Sequence, residues 1–265
     1  MRLATLLLLT GIVLGPQGLA VLTPEVIEVI RPAVAVALAV LGVTMVFGPG
    51  AYGTFWRTHL PSMLILAAAL SLALLHRDAV EALAVAGQAA GIAILLAGSG
   101  WMLSSARAGH DEHRVFAIAV LLLLGGVADY LSVSALLLGW IAATAWRLMP
   151  AKGLADVRLD AAYIQHPTTA LLLITAGASA QVSWQVTLIA AAGCAFALAA
   201  LLVFRRRRSV AVLSFGVPLA PAAFVVALVM DAARLEPRLA LVLSAVVLAV
   251  SAFDIVSGVA GEQAA

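Results

Sequence analysis

The chain has 265 residues, of which 64% are hydrophobic and 11% are charged, with a formal net charge of +2. Soluble domains are about half apolar and about a quarter charged. The 15 Lys and Arg and 13 Asp and Glu residues are too few to cover a water-soluble fold of this size, which excludes a soluble enzyme. The composition instead predicts an all-α, polytopic integral membrane protein, because a helix satisfies its own backbone groups in lipid.

Ten apolar runs follow one another along the chain, and each predicts one membrane crossing. About 20 apolar residues cross the hydrocarbon core, and several of these runs are shorter than that. Residues 1–265 are therefore predicted to form a single transmembrane domain of about ten helices. The runs cover 3–22, 32–48, 59–75, 82–104, 114–128, 131–149, 167–183, 184–204, 209–230 and 238–257.

The predicted connections are short. Residues 114–149 hold two runs, and a Gly-Gly pair followed by Asp129 predicts a tight turn or a break between them. Residues 167–204 hold two more, with polar residues in the middle. The longest polar loop is predicted at 150–166. Prolines near the proposed helix starts stand where a missing N–H costs least, at Pro32, Pro61, Pro167 and Pro237.

Lys and Arg residues in the loops predict the orientation. Alternating the loops between two sides places 11 of the 15 on one side, which is therefore cytoplasmic and carries both termini. The protein is predicted to be a multi-pass protein of the cell (inner) membrane. A signal peptide is a second interpretation of the first residues, because Met1-Arg2, an apolar run and Gly18-Leu19-Ala20 are typical of one.

The sequence predicts no enzyme, no cofactor and no metal site. Cys194 is the single cysteine and lies in an apolar run, which favours a small buried side chain. His110 and His113 are spaced by three in a polar segment, without the His-Glu-x-x-His pattern of a zinc protease. No catalytic Ser/His/Asp set, Walker loop or dinucleotide fingerprint occurs. The cations are divided among loops, so no nucleic-acid partner is predicted.

Polar and ionisable residues inside the apolar runs are the candidates for an ion pathway, because such groups are expensive in hydrocarbon. Asp129 is the first candidate, and it lies either at membrane depth or in a turn near the surface. Asp254 is the second, toward the end of the last run. Thr175, Ser179 and Gln181 either coordinate a cation or bond a neighbouring helix, which is the commoner role. Glu28, Asp78, Glu81 and Asp231 stand at predicted helix boundaries and are given no functional role.

Three stretches resemble a known family. Residues 11–48 contain Gly-x-x-Leu-Gly-Pro-x-Gly-Leu, and this segment resembles the early helices of cation:proton antiporters of the potassium-efflux and sodium/proton exchanger branch. Residues 113–146, with 170–183, are similar to later helices of that family. Residues 215–258 resemble its closing helix pair, with Asp254 where the family usually has Glu. The signature falls on Gly11, Leu14, Gly15, Pro16, Gly18 and Leu19.

The resemblance implies exchange of a monovalent cation, Na⁺ or K⁺, for H⁺, through a carboxylate reached from each side in turn. Family members have about twelve or thirteen helices with two discontinuous helices beside an acid pair. That region corresponds to residues 48–113, which lack the crossing motif. The chain is therefore predicted to be a shortened, antiporter-like protein with Asp129 as its carboxylate. Its predicted partners are the cation, the proton, the lipid bilayer and, as a homodimer, a second copy.

Two alternatives remain open. The missing acid pair favours a non-transporting membrane protein, either an inactive relative or an accessory subunit. The helix count also suits a ten-helix transporter of small metabolites.

Overall fold

A computed structural model describes residues 3–47, 79–105, 110–148, 154–181, 183–193 and 221–262. Every regular element in these ranges is a helix, which confirms the all-α prediction. The predicted run at 59–75 lies outside the described residues, as do parts of the runs at 184–204 and 209–230.

The helices are named here in chain order. They are α1 (Leu3–Leu14), α2 (Pro24–Phe47), α3 (Ala79–Ser105), α4 (His110–Tyr130), α5 (Ala135–Leu148), α6 (Leu154–Ser179), α7 (Trp184–Gly193), α8 (Pro221–Leu235), a 3₁₀ turn (Pro237–Leu239) and α9 (Ala240–Glu262). One described helix, Pro24–Phe47, is both long enough and apolar enough to cross a membrane. Several of the others are apolar but shorter.

Helix starts that follow a short break are capped by side-chain oxygens. The N–H of Val26 donates to the Thr23 hydroxyl at 3.4 Å, directly before the proline that opens α2. Ser134 caps α5 in the same way, at 3.1 Å from the N–H of Leu137. Ser183 caps α7, at 3.3 Å from the N–H of Val186. These bonds satisfy backbone donors that have no partner within their own helix.

Helix boundaries differ from the predicted ones in three places. The run 3–22 contains only α1, because the chain leaves the helix after Leu14 and turns, with Ala20 at a positive φ of 53°. The predicted loop at 150–166 is wrong, because α6 occupies residues from Leu154 onward. Pro32 and Pro167 lie inside α2 and α6 and not at helix starts. Pro237 does open its element, the 3₁₀ turn.

The described residues form two compact units. The terminal unit comprises 3–30, 170–181, 183–193 and 221–262, and the central unit comprises 31–47, 79–105, 110–148 and 154–169. In the central unit, α4 and α5 form a helical hairpin, and α3 contacts both of its arms. The side chains of Val120 in α4 and Trp146 in α5 both approach Gly100 of α3. The two residues lie at similar distances along the chain from the turn that joins α4 to α5.

The central unit is packed through backbone contact. A methyl group on Gly125 of α4 would overlap the backbone of Val36 in α2, and one on Gly139 of α5 would overlap that of Ala39. The indole Nε1 of Trp146 donates to the Ala97 carbonyl of α3 at 2.6 Å. Small residues therefore let the helices approach more closely than side chains would allow.

The terminal unit is also packed through close backbone contact at a glycine. Gly177 of α6 approaches the Leu8 carbonyl of α1 so closely that no side chain fits. Helix α9 packs against α8 and α1. A small apolar cluster joins α7 to α9 through Val186, Ala190 and Ala245.

Candidate functional site

Asp129 lies in an ion pair at the end of α4. Its Oδ1 is 3.5 Å from the Nε of Arg31 in α2, and both residues belong to the central unit. The Arg31 side chain is 43% exposed and that of Asp129 is 28% exposed. Asp129 therefore occupies the turn-proximal position that the sequence left as one of two readings.

Local structure explains why this pair forms. Asp129 is the penultimate residue of α4, where a negative charge meets the negative end of the helix dipole. The chain then turns through Ser132, whose φ is +49° and whose N–H donates to the Asp129 carbonyl at 3.2 Å. Arg31 supplies the positive charge that this helix end favours. The partly exposed carboxylate is accessible to a proton or a cation, and the guanidinium competes with either for its negative charge.

A second acid lies in the terminal unit, and the sequence interpretation missed it. Asp231 lies inside α8, and its Oδ1 is 3.6 Å from the Nη2 of Arg234 one turn later. Each of the two side chains is only 5% exposed. The apolar run stops at Met230 and so predicts a helix boundary at Asp231, but the helix continues to Leu235. The opposite charge three residues later was the available signal.

The hydroxyls predicted for an ion pathway donate to their own helix. Thr175 is buried, and its Oγ1 donates to the Leu171 carbonyl at 2.8 Å while it lies 3.9 Å from the Met230 sulfur of α8. Ser179 Oγ donates to the Thr175 carbonyl at 2.8 Å. Their protons are therefore committed to backbone carbonyls, and their lone pairs are what they can offer to a ligand.

Gln181 lies at the break between α6 and α7. Its backbone N–H donates to the Ser244 hydroxyl of α9 at 2.9 Å, and that hydroxyl donates in turn to the Ala240 carbonyl at 2.8 Å. The Gln181 side chain is exposed. Gln181 thus joins the α6–α7 break to α9 through its backbone N–H, and the predicted role of its side-chain amide stays a prediction.

The remaining predicted residues are placed as follows. Asp254 lies within α9, but its side chain is outside the described residues, as are the side chains of His110 and His113. Cys194 is also outside them. Among the residues that the structure describes, no group of three or more His, Cys, Asp or Glu side chains could hold a metal ion.

The signature glycines near the N-terminus have packing and turn roles. A methyl group on Gly11 would overlap the Ile174 carbonyl of α6, and Gly15 is similarly close to Ala178. Gly18 lies in the turn after α1, too close to the Val13 carbonyl for a side chain to fit. The same carbonyl accepts a hydrogen bond from the N–H of Leu19 at 2.7 Å. The spacing of Gly11 and Gly15 is that of a close helix contact. Helix packing is therefore sufficient to explain these glycines.

Comparison with known proteins identifies no relative of this chain. Protein-family models, curated proteins and solved structures each gave no match.

Proposed function

We propose that the protein is a multi-pass helical protein of the cell inner membrane, with about ten spans, that exchanges Na⁺ or K⁺ for H⁺. The proposal of a membrane protein rests on the distribution of small and large apolar residues on α3. Ala89, Ala93 and Ala97 are buried at every fourth position, whereas Leu95 and Met102 are exposed. Water disfavours such a surface, whereas lipid is a suitable solvent for it.

The same distribution recurs on α4. Leu124 and Ala128 are fully buried, and Ile118, Leu122 and Leu123 are about half exposed. An apolar outer face on consecutive helices supports a lipid environment for the central unit. It matches the predicted partner, a lipid bilayer.

The contacts within the central unit also agree with the alternating topology. Arg31 meets Asp129, and the topology places both at the outer side. Trp146 meets Ala97, and the topology places both toward the cytoplasm. Each of these pairs therefore joins residues to which the topology assigns the same membrane depth.

The terminal unit shows the same agreement. Gly11 meets Ile174 near the outer ends of α1 and α6, and the N–H of Gln181 meets Ser244 near the outer start of α9. Trp184 is exposed at the outer start of α7, where aromatic side chains commonly mark the lipid headgroups. These contacts support the alternation of the helices, and the distribution of Lys and Arg supports the orientation with both termini in the cytoplasm.

Labelling from one side tests the topology. We choose Tyr130 and Leu148, which are exposed residues at opposite ends of the α4–α5 hairpin. In a Cys194→Ser background, a membrane-impermeant maleimide added to intact cells should label Tyr130→Cys and leave Leu148→Cys unlabelled until the cells are opened. Labelling of both positions from outside would contradict the orientation.

Asp129 is the proposed exchanging carboxylate. It lies at a helix end on the outer side, and its partial exposure gives ions access to it. A cation and a proton both bind to the negative charge of this one carboxylate, so the two ligands compete with each other and with the Arg31 guanidinium.

A specific observation also supports a second candidate, a non-transporting membrane protein. Both acids described above are paired with arginines of the chain itself, Asp129 with Arg31 and Asp231 with Arg234. Each carboxylate is thereby neutralised by a fixed side chain. Such pairing is also typical of acids that only stabilise helices.

Proton movement in proteoliposomes distinguishes the two candidates. Purified protein is reconstituted with an internal pH-sensitive dye, and Na⁺ or K⁺ is added as a pulse, with empty liposomes as the control. Exchange predicts a cation-dependent pH change that is lost in Asp129→Asn at equal protein content. An unchanged signal in that variant would remove Asp129 from the pathway. No response from folded wild-type protein would favour the non-transporting candidate.

A further inference from the structure

Two helices pass from one compact unit to the other. Helix α2 begins in the terminal unit and enters the central unit at Arg31, and α6 begins in the central unit and enters the terminal unit at Ala170. Each contains a proline within three residues of that boundary, at Pro32 and Pro167. Among the described residues, these are the only prolines inside a helix, since the others open a helical element or lie in the turn after α1. The two internal prolines therefore mark the places where the chain changes units.

Each of these helices is tightly packed on one side of its proline. No residue of α2 before Val34 is buried, whereas most residues from Val34 onward are. Gly42 in this buried half approaches the Leu136 carbonyl of α5 so closely that no side chain fits. In α6 the packed half also follows the proline, and Gly177 makes the corresponding close contact with α1. Both prolines are exposed, and each shortly precedes the packed half of its helix.

A proline weakens a helix at a defined place. It has no N–H to donate to the carbonyl four residues earlier, and its ring crowds that carbonyl, so helices commonly bend there. In α6, the two threonines after Pro167 bond carbonyls that precede it. Thr168 Oγ1 lies 2.8 Å from the Ile164 oxygen and 2.9 Å from the Gln165 oxygen. Thr169 Oγ1 lies 2.7 Å from the same Gln165 oxygen. One hydroxyl proton serves one carbonyl at a time, so Thr168 can exchange one bond for the other as α6 bends.

The proline of α2 adjoins the Asp129 site. Arg31, which pairs with Asp129 at 3.5 Å, directly precedes Pro32. Asp129 belongs to α4, and α4 is held against the half of α2 that follows the proline, through contact of Gly125 with Val36. Bending at Pro32 therefore moves Arg31 relative to Asp129.

We propose that Pro32 and Pro167 form a paired hinge about which the two units change orientation, and that bending at Pro32 makes and breaks the Arg31–Asp129 pair. A hinge of this kind confines the change in backbone angles to a few residues while the packed parts move as bodies. The hinge itself is independent of transport. Its control of access to Asp129 rests on the proposed exchange function, because Arg31 competes with the cation and the proton for that carboxylate.

Distances between spin labels in the two units test the hinge. In a Cys194→Ser background, labels are attached at Leu95→Cys of α3 in the central unit and at Trp184→Cys of α7 in the terminal unit, because both positions are exposed. Pulsed electron spin resonance on the protein in lipid vesicles gives the distribution of their separation. We expect at least two distances without further change. Pro32→Ala with Pro167→Ala should leave a single narrow distance, because alanine restores the missing backbone hydrogen bonds.

Two controls and one further variant complete the test. Pro24→Ala replaces the proline that opens α2, where no helical hydrogen bond is lost, and should leave the distribution unchanged. A label pair within the central unit, at Leu95 and Leu148, should give the same distance in every variant and so reports correct folding. Arg31→Gln should shift the populations of the two distances between the units, because it removes the ion pair that the bend makes and breaks.

The hinge is overturned if the double-alanine variant keeps the distribution seen without it, or if Pro24→Ala narrows that distribution equally. An unchanged distribution in Arg31→Gln would overturn the link between the hinge and Asp129. Proton movement in proteoliposomes judges the exchange function separately. Two distances without any exchange would keep the hinge and reject the exchange function. Exchange at the wild-type rate in the double-alanine variant would keep that function and overturn the role of the hinge in it.

Discussion

The two ion pairs differ in what they connect and in how far they are removed from solvent. Arg31 and Asp129 belong to different helices, and their side chains are partly exposed. Asp231 and Arg234 lie on one helix, and both side chains are buried. The exposed pair links α2 to the end of α4 at little desolvation cost, whereas the buried pair joins two positions of one helix and is costly to form.

The comparison shows that the elements an ion pair connects and the stability it contributes are separate properties. At the surface, water screens both charges, so a pair between helices contributes little to stability. In the interior, each charge depends on the other, so a pair within one helix becomes critical once it exists. An ion pair is therefore most sensitive to mutation where it is buried.

The largest effect is expected from breaking the buried pair. Asp231→Asn leaves a buried guanidinium without its carboxylate and should lower the free energy of unfolding by about 3–5 kcal/mol. The combined change Asp231→Leu and Arg234→Met should be neutral or stabilising by roughly 1–4 kcal/mol. Unfolding in mixed detergent micelles measures both.

Equal destabilisation by the single and the double change would contradict this view. It would show that the two polar groups hold other parts of the terminal unit in place, and that their mutual charge compensation is secondary.

The second prediction concerns what holds the central unit if its ion pair does not. Gly125→Ala places a methyl group against the Val36 backbone and should cost about 1–3 kcal/mol. Gly126→Ala is the matched control, because open space surrounds that position, and it should stabilise the helix by about 0.5–1 kcal/mol. Thermal unfolding in detergent checks the difference. Similar effects of the two changes would rule out backbone contact at Gly125.

These glycines also show what the sequence could and could not predict. The all-helical class follows from composition, and the turn after Asp129 follows from its place between two apolar runs. The Gly-Gly pair predicts a turn or a break at that point, yet both glycines lie inside α4 and one of them, Gly125, contacts α2. Helix contacts depend on distant residues, so a local pattern could not distinguish a packing glycine from a turn glycine.

The two acids also differ in how well the sequence alone predicts their positions. Asp129 was found because it interrupts an apolar run. Asp231 was missed because it follows one, and only the extension of α8 to Leu235 makes it interior. The polar stretch before Pro167 predicts a loop, although α6 includes this stretch from Leu154 onward. Hydropathy shows where an apolar run ends, but a helix can continue beyond the end of that run.

A third, smaller effect is expected at the buried indole. Trp146→Phe removes the hydrogen bond to the Ala97 carbonyl and should lower the free energy of unfolding by about 1 kcal/mol. Trp184→Phe is the control, because Trp184 is exposed, and we expect little change in water or detergent. The difference in unfolding midpoint between the two variants isolates the bond between α3 and α5. No difference would mean that ring packing alone holds Trp146.

The smallest stability effect is expected at the exposed pair. Arg31→Gln should change the free energy of unfolding by no more than about 1 kcal/mol, because solvent screens a pair with this exposure. If Asp129 is the exchanging carboxylate, the same variant should bind the cation more tightly, since the competing guanidinium is gone. Unfolding and the cation concentration at half-maximal proton movement are then measured on one preparation. A large loss of stability would place this pair in the same class as the buried one, and unchanged cation dependence would mean that Arg31 does not compete for Asp129.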